Sequence, residues 1–217
     1  MDASQSPKTP RLYAGADPAE RQARRRAAFM EAGLALFGTV GYRKTTIRAL
    51  CKTAGLTDRY FYESFTDQED LLAAVYGDRI QLLQAQVLTA LAEVSSSQDL
   101  DLPINAALHA LFRFAEDPVT ARVVWLEVLG VSDRIDQQYE ASLRFFVDFL
   151  HQLTESQFPQ AFPEPHQAHW VARAIVSAVS GSAMSWVLTN YREPRETVIQ
   201  ALKTVFNGLL LHANSSR

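Results

Sequence analysis

His166 and His169, three residues apart with Glu164 beside them, form the densest group of metal-ligand types in the 217-residue chain, and an i, i+3 pair on a helix can hold a cation. A third strong ligand is missing, so the spacing reads as capping or exposed histidines at a helix start, and no metal is expected. Cys51 is the single cysteine and has no identifiable His and Asn pair, and no G-x-S-x-G segment occurs, which leaves a nucleophile without support. The carboxylate pairs Glu116 with Asp117 and Asp133 with Asp136 fall at helix ends, where capping and dipole interactions account for them. Neither G-x-G-x-x-G nor the P-loop pattern is present to converge backbone N–H groups on a phosphate. The expectation is a chain with no catalytic residue and no cofactor.

Charge gives the first positive signal. The formal net charge is −3, but residues 1–65 hold 11 Lys plus Arg against 6 Asp plus Glu, while residues 66–217 hold 10 against 18. A local balance of +5 joined to one of −8 points to a polyanion partner for the N-terminal part only. A single cysteine fits a reducing compartment, and no run approaches about 18 uninterrupted apolar residues, so a cytoplasmic protein without a membrane partner is expected.

The elements that must position these charges read as helices throughout. Only 9 Gly and 9 Pro occur, 47% of residues are hydrophobic, and no strand-like alternation or repeat appears, which predicts an all-α fold. Residues 1–16 lack periodicity and read as a disordered arm. Asp17-Pro18-Ala19-Glu20 opens a helix with Ala28, Phe29, Ala32, Leu36 and Phe37 inward, and Gly41 ends it. Thr45 or Thr46 caps a short helix to Ala54. Gly55 stops that helix, and Thr57 caps a third over residues 58–64. Two short helices joined through a glycine make a helix-turn-helix, in which polar Thr57, Arg59 and Tyr60 would face base edges while Phe61 and Phe65 pack behind. Tyr62 fits either face. Thr66-Asp67-Gln68-Glu69 reads as a capping box for a long helix to about Val94, and further helices are expected at 103–116, 118–130, 133–157, 166–190 and 195–212.

The stretch Phe29 to Phe37, followed by Gly41-Tyr42, Thr45-Thr46-Ile47, Ala54-Gly55-Leu56-Thr57, Tyr62, Phe65 and Glu69-Asp70-Leu71-Leu72, resembles the N-terminal domain of the TetR (tetracycline-repressor) family. The resemblance implies a helix-turn-helix DNA-binding domain over 17–65 and a helical ligand-binding and dimerisation domain over 66–217. It further implies a homodimeric repressor that binds a palindromic double-stranded operator and is released by a small ligand. An activator or ligand-independent regulator of the same fold, or an all-helical enzyme, are the alternatives. Thr46, Thr57, Tyr60 and Tyr62 match family positions that meet DNA. Gln68 and Asp58 depart from commonly basic positions, so Arg43, Lys44, Arg48 and Arg59 are expected to carry more of the phosphate contact.

In the C-terminal part, Ala174, Ala178, Gly181 and Ser185 form a small-residue stripe, and Leu202, Phe206 and Leu209 form an apolar face on the last helix, together the expected dimer surface. The segment VVWLEVL over 123–129 is apolar nearly all round, and the helix after it has two apolar stripes, so both should be buried between layers. The family layout makes His109, Phe112, Trp125, Phe145, Phe149, Trp170 and Ser177 candidate lining residues for a ligand cavity. An aromatic-rich, weakly polar lining suits a hydrophobic or amphipathic molecule.

Overall fold

The computed structural model describes residues 17–95, 101–157 and 165–215, except for the side chains of Pro165, His212, Asn214 and Ser215. Among the described residues every regular element is helical. Helix α1 (Pro18–Thr39) starts where the Asp17 carboxylate accepts from Ala19 N–H and Pro18 has no donor to leave unpaired. Phe29, Ala32 and Phe37 are buried along one stripe, with Gly33 and Gly38 buried beside them where α4 and α6 cross. A single 3₁₀ turn (Tyr42–Lys44) leads into α2 (Ile47–Ala54), whose N-cap is Thr46, accepting from Ala49 N–H at 3.2 Å. Gly55 closes α2 at φ 67°, a conformation costly for any residue with a Cβ, and α3 (Asp58–Ser64) follows three residues later.

Helix α4 (Gln68–Glu93) is capped one residue later than the sequence suggests. Asp67, not Thr66, is the N-cap and accepts from Asp70 N–H at 2.7 Å, while Asp70 reaches back to Thr66 N–H at 3.2 Å. Asp70 thus holds the residue before the cap and not the cap itself, and a carboxylate at the cap leaves the threonine hydroxyl outside it. Helices α5 (Asp101–Ala115), α6 (Pro118–Arg122), α7 (Asp133–Gln157), α8 (Pro165–Leu188) and α9 (Arg195–Ser215) complete the larger part. The expected helix over 118–130 breaks after one and a half turns into a π turn, Val123–Glu127. One continuous core runs from Phe29 and Phe61 through Leu71 and Tyr76 to Phe112, Trp125 and Ile199. Pairs α4 with α5 and α7 with α8 make the longest contacts, while α1 lies against both α4 and α6. By length and composition α8 is apolar enough to cross a membrane (mean hydropathy 1.4 over its most apolar 18 residues), yet its Ala172, Val176 and Ala183 are buried against neighbouring helices.

Candidate nucleic-acid interface and ligand cavity

The small domain is held by three rings. Phe29 of α1 meets Phe61 edge-on at 5.3 Å and Phe65 at 6.5 Å, so α3 is anchored through its rear face. Burying each such ring contributes about 1.5–3 kcal/mol. What remains outward is Thr57, Asp58, Arg59, Tyr62 and Glu63. Arg59 has 84% of its side chain exposed and pairs with Glu63 at 3.0 Å. Tyr62 is 60% exposed, its ring resting edge-on against Phe61. Tyr60, expected on the outer face, is instead half-buried under the Arg25 guanidinium, 4.3 Å from its ring centre. The two tyrosines are two residues apart, nearly opposite on a helix, so only one can face outward. Thr57 occupies the N-cap position of α3 without making a cap bond, which leaves its hydroxyl for other partners.

Around this face, Thr46, Lys44 and Arg48 are exposed at the start of α2. Arg43 is exposed too, but it donates to the Gly130 carbonyl at 3.1 Å and so is tied to the larger part of the chain. Arg26 is committed as well, donating to Ser64 O at 2.6 Å and lying over the Phe65 ring. The two residues that depart from the family pattern have local duties. Gln68 Nε2 donates to Tyr42 O at 2.8 Å, holding the 3₁₀ turn to α4. The Asp58 carboxylate lies beside the Cys51 thiol, and burial followed by that carboxylate pushes the thiol up to about 11. Cys51 therefore stays protonated at neutral pH and is a packing residue between α2 and α3.

A cavity of about 220 Å³ lies in the larger part, walled by α4, α5, the π turn, α7, α8 and α9. Tyr76, Ile80, Leu83, Val87 and Leu91 of α4 line its length, a span of about 22 Å at the helical rise. The described lining residues include no Asp, Glu, Lys, Arg or His. Tyr76, 1% exposed, and Trp125 mark the closed end, whereas Leu153 and Gln157 are exposed at the other. Burial raises the Tyr76 hydroxyl above its ordinary range, so it is neutral.

Of the seven residues expected to line this space, Trp125 and Phe149 do. The other five point elsewhere. Phe112 is packed edge-on against Trp186 in the core, and His109 faces Glu196 of α9. Phe145, Trp170 and Ser177 are exposed. Helical phase is the reason: Phe146 and Ser180 take the inward positions, each a residue or a turn from the one expected. The expected dimer surface divides similarly. Ala174, Ala178 and Ser185 are exposed and Gly181 is half-exposed with open space beyond its α-carbon, but Leu202 is core and Phe206 and Leu209 face the cavity. The outward side of α9 carries Val205, Gly208 and Leu211 instead. Trp170, 64% exposed, lies on the outer side of α8 near its start. His169 meets His151 edge-on at 5.7 Å, and Glu164 falls outside the described residues.

Comparison with known proteins bears on the small domain first. Residues 29–75 match the family described as bacterial regulatory proteins, tetR family. Residues 29–75, from the middle of α1 into α4, thus resemble a tetR-family domain. The fold of the whole extends the likeness. The fatty acid degradation regulator FadR from Bacillus halodurans is 15% identical at a TM-score of 0.69, covering 89% of this chain and 96% of its own. A TetR-family transcriptional regulator from Pectobacterium atrosepticum is 21% identical at 0.64, covering 89% and 97%. FadR from Bacillus subtilis, solved in complex with stearoyl-CoA, is 14% identical at 0.62, covering 81% and 96%. No curated protein matches the sequence. The chain thus has the all-α fold of TetR-family DNA-binding transcriptional regulators, with the helix-turn-helix at its N-terminal end.

Proposed function

We propose that the protein is a homodimeric transcriptional repressor, bound to a palindromic operator through α2 and α3 and released when an apolar ligand enters the cavity. Thr57, Arg59 and Tyr62 read bases in this scheme, with Thr46, Lys44 and Arg48 on the backbone and Arg43 at the margin. The dimer forms through the outward faces of α8 and α9, where Gly181 and Gly208 leave room for a second backbone. The observation that carries the reading is the double role of α4. Its first turn is bonded to the helix-turn-helix through Gln68 and Tyr42, and its middle forms one wall of the cavity. A ligand that favours one placement of α4 therefore acts on the spacing of two recognition helices, which must be about 34–36 Å apart to meet successive major-groove faces. The neighbour crystallised with stearoyl-CoA, a ligand with a long hydrocarbon chain on a charged head, supports an apolar ligand portion for this fold.

The test is selection of bound fragments from a random double-stranded DNA library, followed by titration of the bound DNA with apolar compounds. A palindromic consensus is expected, with affinity falling steeply as salt rises. Tyr62→Ala and Arg59→Ala should each change base preference at a cost of about 1–3 kcal/mol, and Lys44→Ala should weaken all sequences alike. Failure to enrich any sequence would defeat the reading. Enrichment without release by any compound would leave a ligand-independent regulator.

A further inference from the structure

The polar atoms at the closed end of the cavity can be accounted for one proton at a time. Trp125 Nε1–H donates to Ser180 Oγ at 3.2 Å, and Ser180 Oγ lies 3.4 Å from the Tyr139 hydroxyl, either of which can be the donor. Three donor protons thus serve two hydrogen bonds. If Ser180 donates to Tyr139, the phenolic proton is left over, and if Tyr139 donates to Ser180, the serine proton is. Neither has a further acceptor among the described residues. The neighbouring pair shows no such surplus, because Ser142 donates to Gln138 O at 2.9 Å and can accept from Tyr76 beside it. Both hydroxyls are part-buried in the cavity wall, where a proton without an acceptor is costly and the described lining carries no charge.

We infer that the ligand is an uncharged, largely hydrocarbon molecule carrying one neutral oxygen acceptor, a ketone, ester or hydroxyl, which takes the surplus proton of the Tyr139–Ser180 pair. This names the ligand class for the cavity and rests on the function proposed above. A carboxylate at the same place would be desolvated against neutral donors with no cation to offset it, so the site selects against fatty acids seated head-first. The apolar body then runs along α4 from Tyr76 toward Leu91, with its far end at the exposed side of the cavity near Leu153 and Gln157.

The experiment is displacement of N-phenyl-1-naphthylamine from the full-length protein by dodecane, 2-dodecanone, 1-dodecanol and dodecanoate. The ketone and the alcohol should bind about five- to tenfold more tightly than dodecane, the effect of one added neutral hydrogen bond, and dodecanoate should bind more weakly than either. The triple variant Trp125→Phe, Tyr139→Phe, Ser180→Ala removes all three donors and should bring the ketone to within about twofold of dodecane while dodecane itself still binds, which also reports that the variant is folded; Tyr139→Phe alone leaves the Ser180 proton without an acceptor and should keep the preference. Equal binding of ketone and dodecane by the wild type, tightest binding by dodecanoate, or a ketone preference that survives the triple substitution would overturn the inference and leave the apolar cavity intact. Failure of all four compounds to displace the probe would refute the apolar-ligand reading and this inference with it.

Discussion

Gly38→Ala tests the joint between the two parts of the chain. Gly38 sits in the last turns of α1 with ordinary helical backbone, so its conformation alone would favour alanine by about 1 kcal/mol. Packing opposes it. A β-carbon there would lie 2.5 Å from Val119 Cγ1 and 2.9 Å from the Val119 carbonyl carbon, and closer still to the carbonyl oxygen. Carbon atoms rest at about 3.5–4.0 Å, so α6 must move on the order of 1 Å. The obstructing group is backbone near the start of a five-residue helix and cannot rotate aside, which puts the cost at the upper end of the 1–3 kcal/mol range for overpacking. The net expectation is a loss of about 1–2 kcal/mol, or roughly 2–8 °C in Tm for a chain of this size.

Gly33→Ala is the comparison made within the same helix. Its β-carbon would meet Val75 Cγ2 at 3.1 Å and Leu71 Cδ2 at 3.2 Å, both methyl groups on side chains, so the propensity gain and the packing cost should nearly cancel. Thermal melts at one protein concentration would measure both variants, since association shifts apparent stability. Gly38→Ala melting at or above the wild type would show that the contact between α1 and α6 is not as close as described.

Two further expectations concern pH and assembly. Hydrogen bonding from Arg134, partly offset by burial and aided by Thr66 N–H, holds the Asp70 carboxyl below the usual carboxylate range, so the folded pKa lies under the unfolded value of about 4. The stabilisation is complete above that value and is lost as pH falls through the folded one; Arg134→Ala should therefore lose less stability than the wild type between pH 5 and 3, and parallel denaturation curves would contradict this. Gly181→Trp fills the open space on the outer face of α8 and should separate subunits and abolish operator binding together, as read by sedimentation; a wild type already monomeric at micromolar concentration would remove the dimer from the reading.

Local pattern made much of the small domain legible. Phe29, Phe61 and Phe65 fall at spacings that give one inward face per short helix, and the caps at Asp17 and Thr46 are where their residue types place them. Legibility failed where two readings share one local pattern. Tyr60 and Tyr62 are the same residue type on one short helix, and only the stacking of Arg25 from α1 decides which ring is covered. Helix α7 is apolar on two sides, so Phe145 and Phe146 exchange roles with a rotation of one residue that periodicity cannot fix. The π turn at Val123–Glu127 had no signal in a segment apolar nearly all round, yet it is what turns Trp125 toward Ser180 and Glu127 toward Tyr42. Such contacts span dozens of residues, and no local rule encodes them.

Two hydrogen bonds from the cavity walls toward the helix-turn-helix converge on the backbone of Tyr42. Its carbonyl accepts from Gln68 at the start of α4, and its N–H donates to Glu127 at the end of the π turn at 2.7 Å. Glu127 is held in turn by Arg122 at 2.7 Å, and the turn it ends also carries Trp125. A ligand that shifts α4 relative to the π turn must strain or break one of these two bonds, four residues before the Thr46 cap of α2. Within the proposed mechanism, linkage then requires operator DNA to weaken ligand binding by the same factor that ligand weakens DNA binding. Gln68→Ala removes a neutral hydrogen bond of about 0.5–1.5 kcal/mol, so it should reduce that factor by up to about tenfold while leaving the cavity untouched. Glu127→Gln keeps an oxygen for Tyr42 N–H and loses the charge pairing and the accepted hydrogen bond with Arg122, whose side chain is 43% exposed, so its effect should be smaller. The affinity of 2-dodecanone, measured with and without the selected operator, gives the factor for each variant. An unchanged factor in Gln68→Ala, with operator affinity retained, would show that the coupling bypasses Tyr42.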